Sequence, residues 1–176
     1  MPDYYSQGSL QLKQLVGPVM EGNARIEYLY EDFDIIPEVE NTTVTQLTAA
    51  DEKQVTLQLH LSPEPVMVNI DRFFLQQILC KMLAHLLDTV KNGSIISIYV
   101  TNSDGKCFIE AISRPAVPEE EMPEDYFKKY RITNSLQRKD NLSVYKQITQ
   151  DMCGELMYNF TKKSQGKYFS LKFALA

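Results

Sequence analysis

The stretch that most constrains the fold is residues 69–100, which reads as a long buried helix, a turn at Asn92-Gly93 and a β-strand. Large apolar side chains recur at i+4 spacing in two adjacent rows along the helix, and together they form one wide stripe. The rows are Phe74, Ile78, Met82, Leu86 and Val90, and beside them Leu75, Leu79, Leu83 and Leu87. Burial of each such side chain stabilises a fold by about 1.5–3 kcal/mol. The stripe therefore predicts a helix that anchors the core of a domain.

Composition sets the class of protein. A chain of 176 residues is long enough for one domain with a flanking helix. Its net charge of −5 provides no basic field for nucleic acid or anionic lipid. No apolar run approaches the roughly 20 residues that span a bilayer, and the N-terminus lacks the pattern of a signal peptide. The three cysteines (Cys80, Cys107 and Cys153) have no metal-ligand spacing, which favours buried, reduced thiols. We therefore expect a cytoplasmic protein that neither binds nucleic acid nor enters a membrane.

The first half of the chain gives a series of local predictions. Pro18 suits the first position of a helix running to about Tyr30, and a short strand is predicted over 33–36. A helix follows over about 37–53. Strict alternation over 55–61 then predicts a half-buried strand, and 66–68 is expected to return beside it as the second strand of a hairpin-like pair.

The second half of the chain is predicted to contain strands, helices and one long, charged surface segment. Asp104-Gly105 predicts a hairpin that joins strands at 95–100 and 107–112. Residues 113–140 read as a long surface excursion with a short helix over 123–130. The remaining predictions are a helix over 141–152, a glycine cap at Cys153-Gly154 in the left-handed conformation, and a terminal hairpin formed by 155–161 and 167–175. The order predicts an α+β fold, a two-layer α/β sandwich with helices on one face of a mixed, mostly antiparallel sheet.

Seven segments, in this order along the chain, carry a resemblance to a known family: Phe33–Ile35, Met67–Val100, Val117–Glu121, Tyr126–Tyr130, Leu142–Ile148, Cys153–Leu156 and Gly166–Leu171. From about Asp32 to its end, the chain resembles the ATP-binding domain of bacterial sensor histidine kinases. This histidine-kinase-type ATPase fold is shared with DNA gyrase B and the large heat-shock chaperone. The resemblance implies two parts: residues 1–31, similar to the end of a dimerisation hairpin, and residues 32–176, an ATPase-type domain.

The chain departs from the family where the nucleotide would bind. In the family, two asparagines one turn apart on the long helix serve the nucleotide, one of them through Mg²⁺. Those positions fall here on Lys81 and His85. An amide offers an oxygen to a hard cation, whereas an ammonium offers none and repels it. The family's adenine-binding Asp and its first glycines correspond to the segment 112–116, which contains neither residue type.

Glycine is also missing from the span where the family folds its lid around the phosphates. No glycine occurs between Gly105 and Gly154. Backbone amides that cradle a phosphate turn through positive φ, which costs a residue with a Cβ roughly 1–2 kcal/mol. We therefore predict no catalytic residue, no metal site and no cofactor. ATP and Mg²⁺ enter only if divergent motifs still bind them.

The pocket that the resemblance implies would be vestigial, and its predicted residues are Lys81, His85, Asp88 and Arg114. One interpretation is a polar face that merely fills this pocket. The other is a repurposed site, in which Lys81 neutralises a phosphate without metal and Asp88 orients His85.

Three functions are consistent with these patterns. The first is a degenerate, pseudokinase-like domain of a two-component signalling protein, docking on a kinase, a response regulator or its own dimer mate. The second is a working histidine kinase domain with divergent motifs. The third is a phosphotransfer protein, which is disfavoured because the first histidine is His60, within a predicted strand.

Overall fold

A computed structural model describes residues 26–114, 142–159 and 166–176. The strands are β1 (Tyr30–Asp34), β2 (Thr56–His60), β3 (Met67–Asp71), β4 (Ile95–Ser103), β5 (Lys106–Arg114), β6 (Glu155–Asn159) and β7 (Tyr168–Ala174). The helices are α1 (Ile35–Thr45), α2 (Leu47–Glu52), α3 (Arg72–Thr89) and α4 (Leu142–Asp151). The predicted helix over 123–130 lies outside the described residues, as do most of the one starting at Pro18 and the tip of the terminal hairpin.

Helix α3 is the anchor that the apolar stripe predicted. Both rows of the stripe are buried, with Leu75, Ile78, Met82 and Leu86 fully enclosed. The helix starts after Asp71, whose side chain accepts a hydrogen bond from Phe74 N at 3.1 Å and so satisfies one of the free amides of the first turn. A cap at one end and a continuous apolar face thus fix the position of α3 against the sheet.

Five strands form one mixed sheet in the order β2-β4-β5-β7-β6. Strand β2 runs parallel to β4, and the other neighbours are antiparallel. Strands β1 and β3 form a separate antiparallel pair, which a single bridge between Val68 and Leu175 joins to the end of β7. The predicted fold class, an α+β sandwich on a mostly antiparallel sheet, is confirmed.

The hairpin between β4 and β5 is also confirmed. Its two turn residues are both in the left-handed region, Asp104 at φ 51° and Gly105 at φ 72°. Two consecutive positive φ angles are the signature of a type I′ turn, whose twist matches that of the strands it joins. The register follows directly, with Ser103 opposite Lys106.

The two faces of the sheet differ in what they contact. The inner face belongs to the same core as α3, and it carries mainly apolar side chains: Ile96, Ile98, Val100, Cys107, Ile109, Ala111, Phe169, Leu171 and Phe173. The alternate positions form the outer face, and they include His60, Tyr99, Glu110, Ile112 and Tyr168. His60 is exposed, as predicted, and its ring stacks on Tyr99 with the centroids 4.5 Å apart.

One predicted strand pairing is wrong. Strands β2 and β3 do not form a hairpin-like pair, because β2 pairs with β4 and β3 pairs with β1. The connection between them contains Pro63 and Pro65, which cannot donate to a ladder. Pairing with β4 sets Leu57 beside Ile96 on the inner face of the sheet.

The start of the domain also differs from the prediction. Residues 26–29 are not helical, and β1 already starts at Tyr30. Asp34 ends this strand and caps α1 by accepting from Ile36 N at 3.1 Å, which turns Ile35 and Ile36 from the predicted strand into the first helical turn. A break at Gln46 then divides the helix predicted over 37–53 into α1 and α2.

The predicted cap after α4 is displaced by one residue. Cys153, not Gly154, has the positive φ, at 58°. The amides of Cys153 and Gly154 donate to the carbonyls of Gln150 and Thr149, which is the pattern of a Schellman motif. Gly154 meets a different need, because a Cβ there would lie 2.4 Å from Cε1 of Phe173.

Candidate functional site

The candidate site is the polar face of α3. Lys81 and His85 lie one helical turn apart, and both are partly buried. Gln76 and Cys80 lie on another side of the helix and face α1, where Gln76 Nε2 donates to Glu38 Oε2 at 2.6 Å. Lys81 and His85 therefore project away from α1, on a flank that is chemically distinct from the core stripe.

Asp88 is part of another contact. Its carboxylate lies 3.7 Å from the Lys53 ammonium, which also donates to Leu87 O at 2.7 Å. The side chain of Asp88 is 58% exposed, and an ion pair so open to water contributes about 0–1 kcal/mol. This contact ties Asp88 to the end of α2.

Arg114 lies on the other side of the sheet from α3. It is the last residue of β5, exposed, and opposite Ile95 in the register. Strand alternation puts it on the outer face, whereas its neighbour Ser113 is on the inner face with Ile96. The structure thus brings Lys81 and His85 together but separates Arg114 from them.

Sequence reasoning missed a polar link at the end of β5. Ser113 is buried, its Oγ accepts from Lys167 N at 3.1 Å, and its own amide donates to Lys167 O at 2.8 Å. The Lys167 ammonium in turn donates to Thr89 O, in the last turn of α3. A cation at a helix C-terminus is favoured by the dipole. This link joins the start of β7 to the end of α3, and no local pattern signals it because 54 positions separate Ser113 from Lys167.

The cysteines differ more than the prediction of buried thiols allowed. Cys107 is enclosed in the inner face, and burial raises the pKa of its thiol to about 12. Cys80 is partly buried, and burial raises the pKa of its thiol, while Thr45 and Thr42 oppose the shift. Cys153 is exposed, because the left-handed turn after α4 carries it to the surface.

The described residues contain no cluster of side chains typical of a metal site. Across 26–114, 142–159 and 166–176, no group of three or more His, Cys, Asp or Glu side chains could hold a metal ion. At the two positions where the resemblance would place amides, Lys81 and His85 offer nitrogen atoms, whereas a hard cation prefers oxygen. In the same ranges no helix combines the length and the apolar character needed to cross a bilayer.

Comparison with known proteins gives a match of structure only. No protein-family model matches the chain, and no curated protein matches its sequence. The catalytic domain of histidine kinase ThkA in a nucleotide-free form matches with a TM-score of 0.63 at 16% identity, over 83% of this chain and 96% of that one. Histidine kinase AdeS of Acinetobacter baumannii matches with a TM-score of 0.64 at 16% identity, over 94% of this chain and 76% of that one.

Larger kinase structures match as well. ThkA in complex with the response regulator TrrA gives a TM-score of 0.67 at 14% identity, and this chain spans 53% of it while being covered completely. Full-length ShkA in complex with AMPPNP gives 0.66 at 19% identity, over 97% of this chain and 37% of that one. The chain therefore has the histidine-kinase-type ATPase fold that its sequence resembles.

Proposed function

We propose that this chain is a degenerate ATPase-type domain of a histidine-kinase-like signalling protein and acts as a non-catalytic docking module in the cytoplasm. The observation that carries the proposal is a retained fold whose nucleotide-binding positions hold unsuitable side chains. Lys81 and His85 stand where the family uses two amides, and no glycine lies between Gly105 and Gly154.

The contacts at the end of β5 support the proposal. In the family this strand end supplies the carboxylate that binds adenine. Here the inward-facing residue is Ser113, and its hydroxyl already accepts the amide of Lys167. The Lys167 side chain continues to Thr89 O, so the space between β7 and the end of α3 is bridged by a hydrogen bond of the chain itself.

One of the matched structures supports a protein partner. The matched ThkA structure contains a response regulator, and we infer that this domain likewise engages a protein: a response regulator, a kinase or its own dimer mate. Since one fold can host different functions, a module without catalysis can still act by binding a protein.

A second candidate is a working kinase domain with divergent motifs. The partial burial of Lys81 beside His85 favours it, since a cationic face of α3 can neutralise phosphate charge. In that case ATP would bind with Mg²⁺ held by a ligand from elsewhere in the chain, and Lys81→Ala would abolish binding.

Isothermal titration of the full chain with ATP, with and without Mg²⁺, separates the two. The docking proposal expects no heat of binding in either buffer. Binding with a Kd in the micromolar range would refute it. Lys106→Ala, which removes the same charge at the far end of β5, is the matched control for Lys81→Ala.

A further inference from the structure

The segment that leads into β1 and includes its first residue contacts two helices. We call residues 26–30 the strap. Ile26 and Tyr28 pack against the edge of the core, whereas Leu29 is 81% exposed and Tyr30 49% exposed. The strap is therefore held at some positions and open to solvent at others.

The first attachment is to the end of α4. Tyr28 donates its hydroxyl to Asp151 Oδ2 at 2.8 Å, and Tyr30 donates to the backbone oxygen of Asp151 at 3.2 Å. Gln147 Nε2 donates to Oδ1 of the same carboxylate at 2.8 Å. Asp151, the last residue of α4, thus accepts hydrogen bonds from three donors, and two of these donors belong to the strap.

The second attachment is to the start of α3. Leu29 N donates to Asp71 Oδ2 at 2.7 Å, while Oδ1 of the same carboxylate caps α3 through Phe74 N. The Tyr28 ring also packs on the Phe74 ring, with centroids 5.1 Å apart. One short segment therefore touches the end of α4 and the beginning of α3.

These bonds suit a contact that can be released. Burial, and then the carboxylate of Asp151, raise the pKa of Tyr28, so its hydroxyl remains a hydrogen-bond donor at neutral pH. The bonds of Tyr28 and Tyr30 to Asp151 are solvent-exposed. Exposed hydrogen bonds with few apolar contacts open locally at lower cost than the core.

We propose that the strap is a coupling device between the start of α3 and the end of α4: release of the strap at Asp151 loosens the last turn of α4. This inference goes beyond the proposed docking role, because it concerns how two helices of the domain respond together to the loss of one contact. It does not depend on whether a nucleotide binds.

Hydrogen exchange of the nucleotide-free full chain tests the strap, with Tyr28→Phe as the variant. This change removes one hydroxyl and keeps the ring on Phe74. Exchange should accelerate together at amides 28–31 and at 149–154, by about 2- to 12-fold, the range for loss of one side-chain hydrogen bond. Tyr99→Phe removes the same atom on the outer face of the sheet and should leave both segments unchanged.

Two results would overturn the inference. One is faster exchange in the strap with no change at 149–154, which would show that the contacts do not couple the elements. The other is no change in either segment. Asp151→Ala provides a second variant, which should reproduce the joint acceleration. Because no nucleotide is present, none of these results depends on the titration with ATP.

Discussion

Replacement of Asp71 by Asn changes one oxygen of a carboxylate whose two oxygens accept different hydrogen bonds. Oδ1 caps α3 by accepting Phe74 N at 3.1 Å, and Oδ2 accepts Leu29 N at 2.7 Å. Asparagine keeps the first bond but presents an amino group to the second donor. A donor left without an acceptor costs about 1–3 kcal/mol, and the contact is partly buried, so we expect about 1–2 kcal/mol.

Asp34 is the matched control. It also caps a helix and also holds a distant amide, but a single oxygen does both, since Oδ1 accepts Ile36 N at 3.1 Å and Val66 N at 3.0 Å. Asparagine retains that oxygen. Both substitutions remove one negative charge near a helix N-terminus, which is worth about 0.3–1 kcal/mol. Their difference therefore isolates the Leu29 contact.

Urea denaturation followed by circular dichroism measures both variants, with the free energy taken from the midpoint and slope. Asp71→Asn should unfold at a clearly lower urea concentration than Asp34→Asn, with an unchanged slope. Asp71→Ala also loses the cap, worth about 0.5–2 kcal/mol, and should cost about 1.5–4 kcal/mol in total. Equal midpoints for the two asparagine variants would contradict the two-oxygen assignment.

Three further predictions concern packing and the thiols. Leu79→Ala, in the fully buried row of α3, should lower the free energy of unfolding by about 2–5 kcal/mol in the same urea assay. Gly154→Ala should cost about 1–3 kcal/mol because its Cβ would press on the ring of Phe173, and a Tm equal to that of the wild type would contradict this close approach. A thiol reagent at neutral pH should label exposed Cys153 at once and Cys107 only on unfolding. Burial raises the pKa of Cys107 to about 12 and so suppresses the reactive thiolate. Mass spectrometry of the labelled peptides measures the order of labelling.

Local patterns predicted the parts of this fold that local physics determines. The α3 stripe repeats at helical spacing, so its burial follows from sequence alone. The Asp104-Gly105 turn requires two residues that accept positive φ, and its position also fixes the register of the strands. Partners distant in sequence were not predictable in this way. Alternation over 55–61 indicates which side chains of β2 face the core, but a periodicity of two cannot choose between β3 and β4 as the neighbouring strand.

The same distinction between local patterns and contacts distant in sequence applies to the candidate site. Spacing on one helix placed Lys81 and His85 together, because residues four apart share a face. Arg114 was predicted in the same pocket as Lys81 and His85, but strand alternation turns it away from α3. The Ser113–Lys167–Thr89 link joins three elements and has no local signature. Whether these residues form a vestigial pocket remains a prediction.

The most direct test of the central claim is a calorimetric titration of the full chain with ATP and Mg²⁺. The claim is that the ATPase scaffold persists while the side chains that would hold the nucleotide are gone. The account predicts no heat of binding above dilution. Saturable binding in the micromolar range, lost in Lys81→Ala and retained in Lys106→Ala, would contradict it.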